Sequence, residues 1–186
     1  FTKLPDEAPD HLMGDYSGAG TIFGTTGGVM EAALRTAYNF ITKENLKDVE
    51  FMDVRGLDGV KETSVTIQGS KVNIAVAHGL SNVEYVLNKV RQAKENNEPL
   101  PYHFIEVMAC PGGCIGGGGQ PYGVSNEVRT ARAKGLYADD EASVTRCSHD
   151  NPFVKKLYAE YLGAPLSEKA HHLLHTKYKP RPEYKR

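Results

Sequence analysis

The residues of this 186-residue chain best suited to chemistry lie in one stretch, Cys110-Pro111-Gly112-Gly113-Cys114-Ile115-Gly116-Gly117-Gly118-Gly119-Gln120-Pro121. Two thiolates at this separation can ligate the same or adjacent iron atoms, soft sulfur matched to a soft metal centre. Pro111 fixes φ and removes a donor. Gly112 and Gly113 can take positive φ and turn N–H groups toward a cluster sulfide. The glycines that follow allow close approach by something bulky, which a plain surface loop does not require. Two other readings compete: a flexible glycine loop with incidental cysteines, and a phosphate cradle. The cradle is weakened because Gln120-Pro121 stands where a P-loop has Lys-Ser/Thr. A radical-enzyme Cys-x3-Cys-x2-Cys triple is excluded, since Gly117 holds the third place. With Cys147 the cysteine count is three, an odd number that argues against a disulfide framework, and two of them four apart in a glycine-rich loop fit metal chemistry in a reducing compartment better than a staple.

Particular elements must position this loop. Residues 103–109 read as a strand that delivers the chain to Cys110. Residues 49–54 read as another, and residues 64–68 and 71–77 alternate around Gly69-Ser70 as a hairpin. Residues 18–28 form a Gly/Thr loop. Behind it a helix is expected over 29–41, with positions 29, 30, 33, 34, 37, 40 and 41 on its apolar face. Ser81 or Asn82 is positioned to cap a helix running to about residue 95. After Gly119 helices are expected over roughly 126–134, 138–146, 151–162 and 167–175, with an extended end over 177–186. Strand–helix–strand alternation gives an α/β layer with parallel pairing. Ligands in such sheets collect beyond the carboxyl ends of the strands, where the cysteine loop lies.

Composition narrows the class. At 40% hydrophobic and 24% charged residues the chain reads as globular rather than disordered. No run reaches the roughly 18 apolar residues of a membrane span. The opening residues show neither a basic n-region nor an apolar h-region, so a signal peptide is not expected. The net charge of −1 excludes a generally basic, nucleic-acid-coating protein. Charge is uneven: residues 149–186 carry +4 and residues 1–148 carry −5. The plain reading is a basic tail on an acidic body; a basic arm for another macromolecule is the alternative.

The same residues carry a family resemblance. Phe104-Ile105-Glu106-Val107-Met108-Ala109-Cys110-Pro111-Gly112-Gly113-Cys114, followed by Gly-Gly-Gly-Gln-Pro, is similar to the third signature motif of the iron–iron (FeFe) hydrogenases. Gly14-Asp15-Tyr16-Ser17-Gly18-Ala19-Gly20 and residues 23–35 resemble the preceding stretch of the same catalytic domain, and Val54-Arg55-Gly56-Leu57 and His171-His172-Leu173-Leu174-His175 match as well. The resemblance covers essentially the whole chain. It implies one lobe of the two-lobed catalytic domain over residues 1–148, a mostly parallel sheet flanked by helices. Residues 149–186 would be a helical, small-subunit-like C-terminal segment. The implied cofactor is the H-cluster, a 4Fe–4S cubane joined through a cysteine sulfur to a two-iron unit with CO, cyanide and azadithiolate. Cys110 would ligate the cubane; Cys114 would ligate it and bridge to the two-iron unit. Phe23 and Met108 would line the two-iron pocket beside the Gly24 backbone, with Gly113 against the cofactor. The implied reaction is reversible H2 oxidation and proton reduction.

The family's two earlier cysteine motifs do not occur here, nor does a cysteine-rich accessory-cluster region. The resemblance therefore implies a first lobe, in the same protein or a companion chain, that supplies two further cysteine ligands. Additional 4Fe–4S or 2Fe–2S clusters, and electron transfer with ferredoxin or an NAD(P)-linked subunit, belong to domains outside this sequence. A tail continuous with the body favours a cytoplasmic enzyme, since in exported members that segment is a separate chain. No nucleic-acid partner and no membrane span are expected. Alternatives are a hydrogenase-like iron–sulfur protein of cluster assembly, for which residues 23–35 are the discriminator, and a sensory hydrogenase of low turnover. Among the other polar residues, Glu31 and Arg35 read as a surface i, i+4 pair, and Glu106 as buried rather than catalytic. Cys147 reads as a plain thiol, and Tyr158 and Tyr161 as packing. His171 and His175, at a spacing that could hold zinc, read as structural.

Overall fold

The computed structural model describes residues 4, 5, 7, 14–44, 46 and 50–182. Two units emerge: residues 16–149, and residues 1–15 with 150–186.

In the larger unit three strands form one sheet in the order β1 (Val60–Ile67), β2 (Ser70–His78), β3 (Phe104–Met108). Strands β1 and β2 are antiparallel, and β2 and β3 are parallel, with Ile74 opposite Phe104 and His78 opposite Met108. The α/β expectation holds, in a small mixed sheet in which one of the two pairings is parallel. The antiparallel pair arises from a two-residue turn, Gln68-Gly69, with φ of +47° and +80°. That is the left-handed geometry that matches strand twist, set one residue earlier than Gly69-Ser70. The parallel pair needs a crossover, supplied by helix α3 (Leu80–Glu95). Its N-cap is Gly79 rather than Ser81 or Asn82; Asn82 instead donates its side-chain amide to the His78 carbonyl at 2.8 Å.

Strand β2 is central, and both its faces are covered. Ile74 and Val76 pack with Met30, Leu34 and Val54, while Ala75 and Ala77 pack with Val83 and Val86 of α3. Burial on two sides explains an unbroken apolar run where one-sided burial would give alternation.

Helix α2 (Gly28–Thr42) confirms the helix expected over 29–41 but not its apolar face. Phe40 and Ile41 are exposed, while Glu31 and Arg35 are fully buried. Residues 18–28 are not simply a loop: α1 (Gly18–Thr21) and a 3-10 turn, Ile22–Gly24, precede Gly27. The strand expected over 49–54 is a 3-10 turn at Met52–Val54, which drops Val54 into the core; Val49 lies outside the described residues. The strand expected over 103–109 spans Phe104–Met108. The two helices expected over 126–134 and 138–146 are one, α4 (Asn126–Ala142), continuous through Gly135 and capped by Ser125, whose Oγ accepts from the Val128 N–H.

The Glu31–Arg35 pair is thus no surface contact. Arg35 donates to Glu31 at 2.7 Å and, through both terminal nitrogens, to Asp140 of α4 at 2.8 Å. Arg55 adds two bonds to Glu31, at 2.9 and 2.8 Å, and Arg146 reaches Asp140 at 2.6 Å. Burial pushes the Asp140 carboxyl up, but Arg35 and Arg146 outweigh it and hold the group below the usual carboxylate range. In the smaller unit Asn151 caps α5 (Pro152–Leu157), a π turn follows at Tyr158–Leu162, and Ser167 caps α6 (Glu168–Leu174). Among the described residues no helix is long and apolar enough to cross a membrane.

Arg35→Met should destabilise the protein by about 3–5 kcal/mol, because it removes the central guanidinium shared by two buried carboxylates, leaving Glu31 to Arg55 and Asp140 to Arg146 alone. Chemical denaturation reads this directly, and a loss below about 1 kcal/mol would mean that the network relaxes without cost.

Candidate functional site

Strand β3 ends at Met108, and Ala109 carries the chain into the cysteine loop. The loop is a series of tight turns. Gly113 N–H bonds Cys110 O at 3.0 Å, and a 3-10 turn, Cys114–Gly116, is closed by Gly116 and Gly117 N–H groups on the Gly113 and Cys114 carbonyls. Cys110 and Cys114 are both exposed, and neither is in a disulfide. A side chain begun at Gly117 would sit 3.6 Å from Cys110 Sγ; at Gly118 and Gly119 nothing lies within 4 Å.

The underside of the loop is held firmly. Thr26 N–H donates to Gly112 O at 3.0 Å, and Gly112 N–H donates to His78 Nδ1 at 3.1 Å. Arg132 of α4 bonds Ile115 O at 2.7 Å. Gly113, with φ +92° and ψ −160°, lies in a region that only glycine populates without strain. A Cβ there would meet Met108 Sδ and Thr26 N at 2.8 Å and Gly24 O at 3.0 Å.

Two further groups set the floor. Glu106, midway along β3, is buried and accepts the Gly27 and Met30 N–H groups, each at 2.6 Å, at the start of α2. Burial pushes its carboxyl upward, against the pull of those donors and of Lys61. Gly27 has φ +89°, and a Cβ on it would collide with the Val54 carbonyl. Lys61 reaches Gly56 O at 2.8 Å and Thr26 Oγ1 at 3.5 Å. Burial lowers the Lys61 ammonium to about 8, although Glu106 and Asp58 oppose the shift.

The structure brings together Gly24, Met108 and Gly113 beside the two cysteines. Phe23, just before Gly24, is 45% exposed. A cleft of about 330 Å³ opens beside Cys114, walled by Gly24, Ile115, Gln120, Arg132 and Leu136. Cys147 is buried, outside the cysteine loop. His171 and His175 lie in the other unit, their rings stacked with centroids 4.4 Å apart, and among the described residues no third ligand-bearing side chain joins them. Sequence reasoning missed His78, Lys61 and Arg132. A signal existed for His78, the one polar residue closing the apolar run of β2.

The residues present fit an iron–sulfur group in part. Two accessible thiols of the right softness sit on one loop, and the open space past Gly117 admits a bulky inorganic body. They amount to half of a four-cysteine set.

Two outcomes follow. Gly113→Ala should cost about 1–3 kcal/mol from backbone strain alone, whereas Gly118→Ala should leave thermal stability unchanged; equal melting temperatures for the two variants would contradict the geometry. Lys61 gives a pH signature. Its folded pKa of about 8 lies below the unfolded value, so the unfolded chain binds more protons above pH 8, and stability rises from about pH 8 to 10.5. Comparison with Lys61→Met in the metal-free protein isolates that rise, and identical pH profiles would rule it out.

A family model described as the C-terminal domain of the iron-only hydrogenase large subunit matches residues 1–118, and one described as the iron hydrogenase small subunit matches residues 126–181. The chain is 51% identical over 179 residues to the NADP-reducing hydrogenase subunit HndD of Solidesulfovibrio fructosivorans, covering 96% of this chain and 30% of that protein. It is 48% identical over 184 residues to iron hydrogenase 1 of Clostridium pasteurianum, covering 96% and 31%. A further relative is cytosolic iron-sulfur assembly component 3 of Rattus norvegicus, 34% identical over 158 residues, covering 83% and 31%. Among solved structures, the [FeFe]-hydrogenase HydA1 from Chlamydomonas reinhardtii superposes with a TM-score of 0.65 at 41% identity, over 95% of this chain and 50% of that one. The chain thus spans about 30% of the length of the curated relatives it matches. With a large-subunit model over residues 1–118 and hydrogenases at about half identity along nearly its whole length, the chain belongs to the iron-only (FeFe) hydrogenase family and corresponds to a C-terminal part of such a protein.

Proposed function

We propose that this chain is the portion of an FeFe hydrogenase that contributes two cysteine ligands and one wall of the pocket for reversible H2 oxidation and proton reduction. The observation that carries this reading is the presentation of Cys110 and Cys114 as exposed thiols on one braced loop, with open space beyond Gly117. When bound, the H-cluster supplies the heterolytic cleavage of H2. The protein supplies ligation, orientation and exclusion of water. In this proposal Cys110 would hold the cubane, and Cys114 would hold both it and the two-iron unit. Met108 and Phe23 provide apolar walls suited to small neutral gases. The Gly24 and Gly113 backbones allow close approach, and Thr26 and His78 keep the loop from moving when the group is seated.

Two of the four ligands in an all-cysteine set must come from elsewhere, and we assign them to a first lobe outside this chain. Residues 1–148 are then the second lobe, and 149–186 a small-subunit-like helical segment. Electrons would pass through further iron–sulfur clusters to ferredoxin or an NAD(P)-linked subunit, with H2 and protons as substrates. We place the protein in the cytoplasm on the argument of the continuous tail. The relationship to a cluster-assembly component supports a second reading, a non-catalytic protein that holds a cubane without a two-iron unit. The higher identity to hydrogenases favours the first.

The two readings separate in the infrared. Full-length protein matured with a two-iron precursor should show CO and cyanide bands and turn over H2. Cys114→Ser should abolish both, because a hydroxyl is a poor ligand for a soft iron–sulfur centre. Turnover and bands that survive in the variant would overturn the assignment of Cys114, and a wild-type protein with a cubane but no bands would establish the assembly reading.

A further inference from the structure

We infer that His78 is a positioning residue for the cysteine loop, setting through its Nδ1 the backbone from which Cys110 and Cys114 project. His78 is the last residue of β2, opposite Met108 in the parallel register, and it is buried. Its Nδ1 faces the Gly112 N–H at 3.1 Å, and its Nε2 faces Leu57 O at 3.1 Å. An amide N–H can only donate, so Nδ1 carries a lone pair, and Nε2 carries the hydrogen and donates to Leu57. Both ring nitrogens are therefore spent on backbone, leaving none for a metal or for proton transfer.

The atom His78 holds matters because of where it sits. Gly112 lies two residues from each cysteine, and its carbonyl is already taken by the Thr26 N–H. Both polar atoms of this one residue are clamped, one by α2's approach segment and one by the imidazole. Gly112 and Gly113 have φ of +81° and +92° and no side chains by which packing could fix them. A glycine pair left to itself samples many conformations; here a buried acceptor on β2 selects one. Leu57, which receives the other end of the imidazole, also packs against Gly112, 3.4 Å from where its Cβ would be. The ring thus spans the gap between the loop at residue 57 and the loop at residue 112.

The spectroscopic consequence rests on the reading of Cys110 and Cys114 as cluster ligands; the structural one does not. Two variants separate the two ends of the ring. His78→Asn offers a carbonyl oxygen close to the Nδ1 position and keeps an acceptor for Gly112. His78→Gln places its amide near the Nε2 position, keeping the Leu57 contact and losing the Gly112 one. In full-length protein without its cluster, His78→Gln should exchange the Gly112 amide at least tenfold faster than wild type, whereas His78→Asn should exchange it nearly as slowly. In loaded protein, His78→Gln should shift the g-values of the reduced cubane and lower the iron content, again with His78→Asn close to wild type. Equal effects of both variants on exchange and melting temperature would reduce His78 to a structural residue, and wild-type behaviour of His78→Gln would overturn the proposal outright. A wild-type protein that takes up no cubane, with the exchange difference intact, would instead overturn the ligand reading and support the positioning role. Nitrogen NMR of labelled wild-type histidine gives a check without variants: an Nδ1–H tautomer at His78 would refute the inference.

Discussion

The structure depends first on one buried carboxylate. Glu106 sits in the middle of the strand that delivers the cysteines and accepts two N–H groups at the start of α2. Both bonds are short and charge-assisted, and the helix dipole favours an anion there. Without the bond to Glu106 those amides would be orphaned at a buried helix end. The carboxylate therefore fixes α2 to β3, and the residues just before α2 are fixed with it. Thr26, next to Gly27, then meets the Gly112 carbonyl, and Gly24 meets Gly113. The position of the cysteine loop is inherited from a contact made several residues back along the strand.

A second constraint comes from the residues that follow Met30 on the same helix. Glu31, Arg35, Arg55, Asp140 and Arg146 form an ion network joining α2 to α4 and to the turn after Val54. Such networks add little net stability over a well-packed apolar core, but separating their members is costly. Their effect is to penalise any shift of α4 along α2. That matters at the site because α4 carries Arg132, whose guanidinium holds the Ile115 carbonyl just past Cys114. The loop is thus anchored on its underside by α2 and β2 and at its far end by α4, each through backbone polar atoms.

Much of this was legible in the chain and some was not, for reasons particular residues make clear. The spacing of Cys110 and Cys114 and the glycine run marked the loop, because few other roles require those residue types together. Strand β3, helix α2 and the β1–β2 hairpin followed from apolar pattern and a turn-forming Gly69. Glu31 and Arg35 misled, because i, i+4 opposite charges read as a solvated pair; their partners, Asp140 and Arg55, are distant in sequence and only folding reveals them. The 3-10 turn at Met52–Val54 was read as a strand because burial of Val54 imitates strand patterning. The break expected between residues 134 and 138 does not occur; Gly135 lies on an exposed part of α4, where a missing side chain costs little packing. His78 left one trace, a polar residue closing the apolar run of β2, but its partners are backbone atoms of glycine and leucine, and Lys61 meets a glycine carbonyl and the Thr26 hydroxyl, so neither has a charged hydrogen-bond partner to search for.

The contrast between the two sides of the cysteine loop has its own logic. Below it, buried polar atoms are matched to defined partners, and Gly113 tolerates nothing larger than hydrogen. On the other side both thiols, Gly118 and Gly119 are open, and Phe23 is half-exposed. Among the described residues β3 pairs only with β2, so one of its edges has no strand beside it. A ligand pair that shares a metal centre with ligands from another segment must be rigid on its own side, so that little ordering remains when the centre is assembled, and uncovered on the other, so that the remaining donors can reach it. Under the proposed ligation by Cys110 and Cys114, stiffness beneath them and exposure above them are one requirement seen from its two faces.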